Sequence, residues 1–456
     1  MGELAEIFKA YDIRGVVPDD LNEQVAEAVG AGFVRLTGAR QLVTVHDMRT
    51  SSAPLAQAFG RGAASQGAEV IAAGLGSTDM LYYASGVLGI PGAMITASHN
   101  PARYNGIKLC RAGAKPVGQE TGLAELKDMV RAGVPAGTAA PGRIVSRDLL
   151  TGYAEHLKKL VDVSAIRPLK VAVDAGNGMA GHTVPTVFEG LPIELVPMYF
   201  ELDGTFPNHE ANPIDPENLR DLQRKVTETG ADIGLAFDGD ADRCFVVDER
   251  GEIVSPSVLT ALIATRELAG EPGATVIHNL ITSRAVPEII TERGGDPVRT
   301  RVGHSFIKAE MARTNAIFGG EHSGHFYFRD FWFADSGMLA ALHVLAALGG
   351  QEAPLSELLA QYARYSASGE INSEVEDQAG ITAQVREVYA SRPGVTTDDL
   401  DGLTVQAPGW WFNLRPSNTE PLLRLNVEGA DQATMESLRD EVLTMVRGAG
   451  GEEDTT

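Results

Sequence analysis

Short runs of apolar residues alternate with amphipathic segments along most of the chain, and turns rich in glycine separate them. Apolar runs bounded by turn residues indicate buried strands, and helical periodicity indicates helices. The pattern predicts strands at 42–45, 93–96, 169–174, 233–237 and 275–278, and helices at 52–67, 257–268 and 336–348. Gly319 and Gly320 are expected to interrupt this alternation. Strands that alternate with helices are typical of layered α/β domains.

The pattern of apolar and polar residues changes after residues 366–369. A smaller α+β unit is predicted there, with strands near 405, 410–414 and 422–427. A chain of 456 residues is also too long for one ordinary hydrophobic core. We therefore expect α/β domains over 1–150, 151–254 and 255–366, and an α+β domain over 367–456 that ends in a disordered tail.

The composition is that of a globular protein, with 44% hydrophobic and 22% charged residues. The longest apolar runs, such as Val344–Leu348, are far too short to span a membrane, and the first residues do not resemble a secretory signal. We therefore expect a cytoplasmic protein that does not interact with membranes. Cys110 and Cys244 are the two cysteines, and they are expected to be buried thiols and not a disulfide.

The net charge of −23 argues against a nucleic-acid partner, because nucleic-acid phosphates require a basic surface. The same charge would repel an anionic substrate. Any such substrate must therefore be bound by a local cluster of basic side chains.

The first motif with possible chemistry is Thr96-Ala-Ser-His-Asn-Pro101, which directly follows a predicted strand. Open α/β sheets bind ligands at the carboxyl ends of their strands. The Ser98 hydroxyl could accept a phosphoryl group there, with His99 and Lys108 supplying charge or proton transfer. The alternative is a simple turn, because Ser, Asn and Pro are common turn residues. Taken alone, this motif favours the turn.

The second motif, Asp238-Gly-Asp-Ala-Asp-Arg243, lies between two predicted strands. Its three carboxylates can converge on one hard cation, and without a cation they would repel one another. An EF-hand would need glycine where Arg243 stands, and flanking helices in place of strands. A phosphatase of the haloacid-dehalogenase type would need threonine where Asp242 stands. The motif therefore favours a magnesium site.

The third motif is Gly319-Gly-Glu-His-Ser-Gly-His325. Glu321 and Ser323 offer an acceptor and a hydroxyl group for the hydroxyls of a sugar. A metal pair formed by His322 and His325 is conceivable, but this spacing outside a helix is a weak signal, and a plain turn explains it equally well.

The fourth motif is Arg415-Pro-Ser-Asn-Thr-Glu-Pro421, followed by an alternating strand. An arginine, short polar side chains and free backbone N–H groups suit phosphate recognition. A polar connection between two strands is the alternative, and this motif alone does not decide between them.

Taken together, the four motifs and Tyr11-Asp-Ile-Arg-Gly15 resemble the α-D-phosphohexomutase family, in its bacterial phosphomannomutase/phosphoglucomutase branch. The resemblance extends from about residue 7 to 445, in the order and spacing of the family. Agreement of four separate loops is far more specific than any one motif. The resemblance implies three related α/β domains with mixed sheets and a smaller C-terminal α+β domain, arranged around a central cleft.

The resemblance also implies roles for the motif residues. Phosphorylated Ser98 would ligate Mg²⁺ together with Asp238, Asp240 and Asp242. Glu321 and Ser323 would bind the 3- and 4-hydroxyls of the sugar. The phosphate that is not transferred would be bound by Arg415, Ser417, Asn418 and Thr419.

A basic cluster assembled from all four units would supply the positive charge that an anionic substrate needs, and its members are Arg14, His99, Lys108, Arg243, His304, His325, Arg415 and Arg424. Within it, Arg14, Lys108 and His325 are the candidates for proton transfer and transition-state charge, and Tyr11 is a further substrate contact. Ile281 departs from the family, because many members have a basic residue there. Arg284, Arg301 or His304 would then have to supply the missing cation at the sugar site.

The implied activity is the reversible interconversion of hexose 6-phosphate and hexose 1-phosphate, through a phosphoserine enzyme and a bound hexose 1,6-bisphosphate. The substrate would be mannose, with glucose as a possible second sugar. Phosphoglucosamine mutase is a close alternative, and a magnesium-dependent sugar phosphatase and an inactive sugar-phosphate-binding protein are more distant ones. The sequence implies a phosphosugar as the partner and no obligate protein partner.

Overall fold

The computed structural model describes residues 6–138, 140–417, 421–448 and 452–453, and of residues 304–305 and 452–453 it describes only the backbone. Four β-sheets follow one another along the chain. The first sheet contains β1 (Ile13–Val16), β2 (Gln41–His46), β3 (Glu69–Leu75), β4 (Gly92–Ile95), β5 (Tyr104–Arg111), β6 (Lys115–Pro116) and β7 (Ile144–Ser146). Its helices are Glu23–Thr37, Ser52–Ser65, Thr78–Leu88 and Leu123–Ala132, with a short 3-10 turn at Gln119–Thr121.

The second and third sheets have five strands each. The second contains β8 (Leu169–Asp174), β9 (Ile193–Met198), β10 (Ile233–Phe237), β11 (Cys244–Asp248) and β12 (Ile253–Val254). The third contains β13 (Thr275–Asn279), β14 (Asp296–Thr300), β15 (Phe318–Gly320), β16 (Phe326–Phe328) and β17 (Ala334–Asp335). The helices of this part of the chain are Leu150–Leu160, Ala180–Phe188, Arg220–Thr229, Pro256–Gly270, Ala285–Glu292, His304–Thr314, Gly337–Gly349 and Leu355–Leu359.

The first three sheets share one arrangement of strands. Their spatial orders include β3-β2-β4-β5, β9-β8-β10-β11 and β14-β13-β15-β16. In each, three neighbouring parallel strands are followed by one antiparallel strand. The strand order reverses at β2, β8 and β13, and such switch points are where open α/β sheets form ligand sites.

The fourth sheet is antiparallel throughout and has the order β19-β20-β21-β22-β18-β23. Its strands are β18 (Ser366–Glu374), β19 (Thr396–Asp398), β20 (Leu403–Ala407), β21 (Trp410–Pro416), β22 (Leu422–Gly429) and β23 (Glu452–Glu453). The helices Gln378–Ala390 and Gln432–Gly448 pack against one face, where Phe412 and Leu425 are buried. The predicted fold class, three related α/β domains with mixed sheets and a smaller α+β domain, is confirmed.

One local prediction is wrong. Gly319 and Gly320 do not interrupt the third domain but lie in β15, paired on both sides. Glycine is needed because helix Pro256–Gly270 packs directly on this strand, so that a Cβ at Gly320 would lie 2.3 Å from Thr260 Oγ1. The disordered tail stays a prediction: 452–453 pair with β18, and residues 449–451 and 454–456 lie outside the described residues.

The predicted domain boundaries stay predictions, and the one between 366 and 367 falls inside β18. Cys110 and Cys244 are both buried free thiols, as predicted. Within the described ranges, no helix combines the length and the apolar character that crossing a membrane requires.

Candidate active site

Three of the four motifs occupy equivalent places in three sheets. The loop with Ser98 joins β4 to β5, the loop with the three aspartates joins β10 to β11, and the loop with Glu321 joins β15 to β16. Each loop leaves the carboxyl end of a parallel strand next to the switch point of its sheet. The shared strand order therefore gives three different domains the same kind of loop at the same kind of edge.

The Ser98 hydroxyl points from the first domain into the aspartate loop of the second. Ser98 Oγ donates to Asp238 Oδ2 at 2.9 Å and lies 3.2 Å from His99 Nδ1. The backbone of Ser98 is left-handed, with a φ of 51°, and its N–H donates to Thr96 Oγ1 at 2.9 Å. A non-glycine residue in this conformation is strained and needs support from its surroundings.

Gly239 makes the contact between the two loops possible. A Cβ at this position would lie 2.4 Å from the carbonyl oxygen of Ser98, closer than any real contact. The glycine between Asp238 and Asp240 is therefore required by the approach of the serine loop.

The three aspartates are almost completely buried, at 0%, 0% and 2% exposure for Asp238, Asp240 and Asp242. Lys108 Nζ donates to Asp240 Oδ2 at 2.6 Å and to Asp242 Oδ2 at 2.7 Å. Thr78 holds Asp240 as well, through its hydroxyl at 2.5 Å and through its backbone N–H to the Asp240 carbonyl oxygen at 3.0 Å. Lys108 and Thr78 belong to the first domain, so both domains build this cluster.

The pKa values of Asp238 and Asp240 are shifted in opposite directions. Burial, and then the carboxylates of Asp242 and Asp240, raise the pKa of Asp238 well above its usual value. Burial acts in the same direction on Asp240, but the Lys108 ammonium outweighs it and lowers the pKa of Asp240. Burial opposes the charge of Lys108, yet the two carboxylates raise its pKa above the usual value. Burial and the neighbouring carboxylates therefore disfavour the ionised form of Asp238, whereas Lys108 favours the ionised form of Asp240.

The aspartate cluster fits a divalent cation. One oxygen from each of Asp238, Asp240 and Asp242 can be chosen so that all three lie within 4.8 Å of one another. Among the described residues, neither Asp240 Oδ1 nor Asp242 Oδ1 has a hydrogen-bond partner. Buried carboxylate oxygens without partners are costly unless they bind an ion, and an all-oxygen donor set suits Mg²⁺.

A second chain of charged groups borders the cluster. Arg243 donates from its backbone N–H to Asp238 Oδ1 at 3.2 Å and from Nε to His325 Nε2 at 3.1 Å. His325 Nδ1 lies 3.0 Å from Asp335 Oδ2, and Asp335 forms a 2.6 Å ion pair with buried Lys308. Both ring nitrogens of His325 are thus held in place.

His99 is surrounded by positive charge. The guanidinium of Arg243, followed by burial and by Arg14, lowers the pKa of His99 well below its usual value. The group beside Ser98 Oγ is therefore a neutral imidazole at neutral pH. Arg14 itself is bound to Asp12 at 3.1 Å through Nε, and its Nη1 donates to Asn100 of the serine loop.

The residues predicted for the sugar gather around Gly303. Glu321 is 2% exposed, accepts from Tyr327 Oη at 2.6 Å and accepts from the Gly303 N–H at 3.2 Å. Ser323 is half-buried in the same loop. A Cβ at Gly303 would lie 3.4 Å from the Tyr11 hydroxyl, so this loop also contacts the first domain. The His304 side chain lies outside the described residues.

Two of the predicted phosphate residues, Arg415 and Arg424, are register partners at one end of β21 and β22. Arg415 Nη2 lies 3.3 Å from Glu370, and its Nη1 lies 3.7 Å from Asp401. Asp401 in turn accepts from the Val302 N–H at 3.1 Å, which links this domain to the Gly303 loop. Ser417 is half-buried beside them, and Asn418 and Thr419 lie outside the described residues.

The structure also bears on the missing cation at the sugar site. Ile281 is buried at 8% exposure. Arg284 Nη2 donates to the carbonyl oxygens of Ala407 and Trp410, so this guanidinium is committed to the C-terminal domain. Arg301 stacks on Phe306 with its Cζ 4.7 Å from the ring centre.

The possible metal pair of His322 and His325 is not favoured, because within the described part the ligand group around His325 consists of Asp242 and Asp335.

The sequence analysis missed the side chains that hold the predicted residues. Thr78 follows β3 at the carboxyl edge of the first sheet, and that position was a usable signal. Lys308 and Asp335 belong to no recognisable sequence motif. They stand out only in the structure, where they are buried at 4% and 2% exposure.

The chain was compared with known proteins. Models of the phosphoglucomutase/phosphomannomutase α/β/α domains I, II and III and of the C-terminal domain match residues 5–133, 151–251, 255–365 and 370–445. A protein of Xanthomonas campestris pv. campestris described as phosphohexose mutases is 41% identical, over 97% of this chain and 99% of the relative. A phosphomannomutase of Salmonella montevideo is 40% identical, over 96% and 98%.

A crystal structure of a phosphoglucomutase/phosphomannomutase family protein from Burkholderia thailandensis has the same fold. Its TM-score to this chain is 0.88 at 33% sequence identity, and the match covers 98% of both chains.

Proposed function

Because the chain belongs to the phosphoglucomutase/phosphomannomutase family, we propose that it interconverts hexose 6-phosphate and hexose 1-phosphate through a phosphoryl group carried by Ser98. It is an enzyme of the isomerase class, a phosphohexose mutase, and mannose phosphate is the proposed principal substrate. The observation that carries the role of Ser98 is its contact with Asp238 inside a buried cluster of carboxylates.

The first half-reaction moves the phosphoryl group from Ser98 to the sugar. The bond between phosphorus and Ser98 Oγ breaks, the bond to O1 of hexose 6-phosphate forms, and the product is hexose 1,6-bisphosphate. The O1 proton leaves the sugar, and Ser98 Oγ takes up a proton. Neutral His99, with Nδ1 3.2 Å from Ser98 Oγ, is placed to accept the serine proton when Ser98 is phosphorylated, and its protonated form would return that proton when the phosphoryl group leaves.

The second half-reaction restores the phosphoenzyme. The bisphosphate reorients in the site and presents its 6-phosphate to Ser98. The bond between phosphorus and O6 breaks, the bond to Ser98 Oγ forms, the serine proton leaves and O6 takes up a proton, so that hexose 1-phosphate is released. Glu321 and Ser323 are proposed to bind the 3- and 4-hydroxyls in either orientation. Arg415, Arg424, Ser417, Asn418 and Thr419 are proposed to bind the phosphate that is not being transferred, with Tyr11 and His304 as further contacts.

Charge is the main obstacle to this chemistry, because a phosphoserine carries about −1.5 to −2 charge at pH 7. Lys108 holds Asp240 and Asp242, and Arg14, Arg243 and His325 are proposed to face the transferring group. Mg²⁺ bound by Asp238, Asp240, Asp242 and the Ser98 phosphate would neutralise and polarise that group. The fixed positive groups need no rearrangement during the reaction, which favours the transition state.

The proposal is tested by assaying mannose, glucose and glucosamine 1-phosphates side by side, with Mg²⁺ and a trace of hexose 1,6-bisphosphate. We expect conversion of mannose 1-phosphate to its 6-phosphate and no turnover in Ser98→Ala. Preference for the amino sugar would identify a phosphoglucosamine mutase. Release of inorganic phosphate that survives Ser98→Ala would identify a phosphatase.

A further inference from the structure

Arg49 has no place in the reaction described so far, although its side chain lies directly beneath the serine loop. It follows β2, is 3% exposed, and points its guanidinium at the backbone of that loop. Nη2 donates to the carbonyl oxygens of Ser98 at 2.9 Å and Asn100 at 2.6 Å. Nη1 donates to those of Pro101 at 2.9 Å and Tyr104 at 3.0 Å. Four carbonyl groups of one short segment thus converge on one planar cation.

The hydrogen bonds from Arg49 stabilise a strained backbone conformation at Ser98. The left-handed φ of 51° at Ser98 is strained for a residue with a side chain, and it persists only if surrounding bonds enforce it. The hydrogen bond from Arg49 to the Ser98 carbonyl oxygen fixes the peptide that follows this conformation. A rigid fork of donors is well suited to this task, and lysine is not, because its three donors radiate from a single atom.

The charge of Arg49 is balanced on its other side. Asp47 Oδ2 lies 3.3 Å from Arg49 Nε, and Asp47 Oδ1 accepts from the Arg49 N–H at 3.0 Å. Ser52 donates to the same carboxylate at 2.5 Å. Asp47 is 1% exposed, so the pair is held rigidly in the interior and is paired before any substrate binds.

The second domain covers the same guanidinium. The Phe206 ring centre lies 5.0 Å from Arg49 Cζ, within the range of a cation–π contact. A Cβ at Gly204 would lie 2.5 Å from Arg49 Cα, so this loop fits closely over Arg49. Arg49 therefore lies between the serine loop of the first domain and a loop of the domain that carries the aspartates.

We propose that Arg49 is a positioning residue that sets the place of Ser98 Oγ relative to the aspartate loop. The proposal rests on the proposed function, because it requires Ser98 to carry the phosphoryl group. The Arg49 guanidinium is engaged by the carbonyl groups of the serine loop and by Asp47, so it is expected to control the rate of phosphoryl transfer and not the affinity for the sugar. A purely structural role would instead lower stability and leave each folded molecule fully active.

The test compares wild type with Arg49→Lys, which keeps the charge and removes the fork. Ser98 phosphorylation by glucose 1,6-bisphosphate in single turnover, followed by intact mass, gives the transfer rate constant per folded molecule. We expect it to fall about tenfold or more, because displacing a reacting atom by a fraction of an ångström is enough to slow transfer. The KM for hexose 1-phosphate should change by no more than about twofold, since no sugar contact is removed.

Arg167→Lys is the matched control. Its guanidinium also donates to backbone carbonyl oxygens, those of Gln351 and Pro168, both at 3.1 Å, near the start of β8 and away from the serine loop. This variant should transfer phosphate at the wild-type rate. Phe206→Leu leaves the fork intact and removes the ring above it, and we expect a smaller fall of the same kind, about threefold.

A transfer rate per folded molecule that is equal to wild type in Arg49→Lys would overturn the proposal. If Arg49→Lys does not fold, an unchanged rate in Phe206→Leu overturns it in the same way. Failure of the wild-type protein to become phosphorylated at Ser98 would instead refute the proposed function, so the two failures are distinguishable.

Discussion

Ser98 and Asp238 are 140 positions apart and belong to different sheets, yet Ser98 Oγ donates a 2.9 Å hydrogen bond to Asp238 Oδ2. Asp238 is the carboxyl of the cluster whose pKa burial and its neighbouring acids raise well above the usual value. The proposed phosphoryl carrier therefore contacts a proposed metal ligand whose ionised form is disfavoured by its surroundings. Several consequences of this contact can be measured.

Binding of Mg²⁺ should release a proton. A carboxyl must be ionised to bind a metal, and burial and the neighbouring carboxylates raise the pKa of Asp238. We expect the affinity for Mg²⁺ to rise with pH over the range in which Asp238 loses its proton, above the usual pKa of an aspartate. Calorimetry in two buffers of different ionisation enthalpy should show about one proton released per ion. Asp238→Asn should release none, and equal release in both proteins would show that Asp238 is not the source.

Removing Lys108 should make the protein depend on its metal for stability. Lys108→Met leaves Asp240 and Asp242 buried without their cation, and breaking such a pair costs about 3–5 kcal/mol. Thermal unfolding in EDTA should show a large loss of stability, and Mg²⁺ should recover more of it than it adds to wild type.

Lys170→Met is the control for Lys108→Met, because Lys170 pairs with Glu194 at 3.2 Å in a partly exposed position. Exposed pairs contribute little, so this change should have almost no effect. If Mg²⁺ raises the unfolding temperature of Lys108→Met no more than that of wild type, the electrostatic account of the cluster is wrong.

Asp79 should make stability depend on pH. Burial raises its pKa from 3.8 to about 6, although Ser336 at 2.5 Å, Ser77 and Tyr153 at 2.7 Å donate hydrogen bonds to it. A raised folded pKa contributes stability below the unfolded pKa, and that contribution is lost as the pH rises through the folded pKa. About 3 kcal/mol should therefore be lost between pH 4 and pH 6.

Asp79→Asn lacks this titration. Denaturant unfolding at several pH values should show that the stability of the variant relative to wild type rises between pH 4 and pH 6. A constant difference across that range would mean that Asp79 has the same pKa in the folded and unfolded chain.

Arg415→Ala should weaken substrate binding. Losing a charge-assisted contact to phosphate costs about 1.5–3 kcal/mol, so the KM for hexose 1-phosphate should rise about tenfold or more. Arg386→Ala is the control, because Arg386 lies in the same domain and pairs with Asp399 on the surface. Steady-state kinetics that show no difference between the two variants would remove Arg415 from the phosphate site.

The sequence predicted the elements that depend on local pattern. The strands before Ser98 and Asp238 were correct because an apolar run followed by a polar turn is recognisable without the rest of the chain. Gly319 and Gly320 were predicted wrongly because the helix that requires glycine at this place in β15, Pro256–Gly270, is distant in sequence.

The contacts that complete the site were beyond local pattern. Thr78 binds a carboxylate 162 positions away, and Arg49 binds carbonyl groups 49 to 55 positions away. Every residue has a backbone carbonyl group, so the identities of the bound residues do not reveal which side chain donates to them. Arg284 was a reasonable candidate for the sugar site by its place in the sequence, but its guanidinium binds the C-terminal domain.

The central claim is that Ser98 carries the phosphoryl group, and intact mass with peptide mapping tests it most directly. The protein is incubated with hexose 1,6-bisphosphate and Mg²⁺, freed of small molecules, and mixed with excess hexose 6-phosphate. We expect the mass of one phosphoryl group on the peptide that contains Ser98 and, when that group is isotopically labelled, transfer of the label to the sugar phosphates on mixing, while Ser98 becomes phosphorylated again. Full turnover with no phosphate on Ser98, or undiminished turnover in Ser98→Ala, would contradict the account.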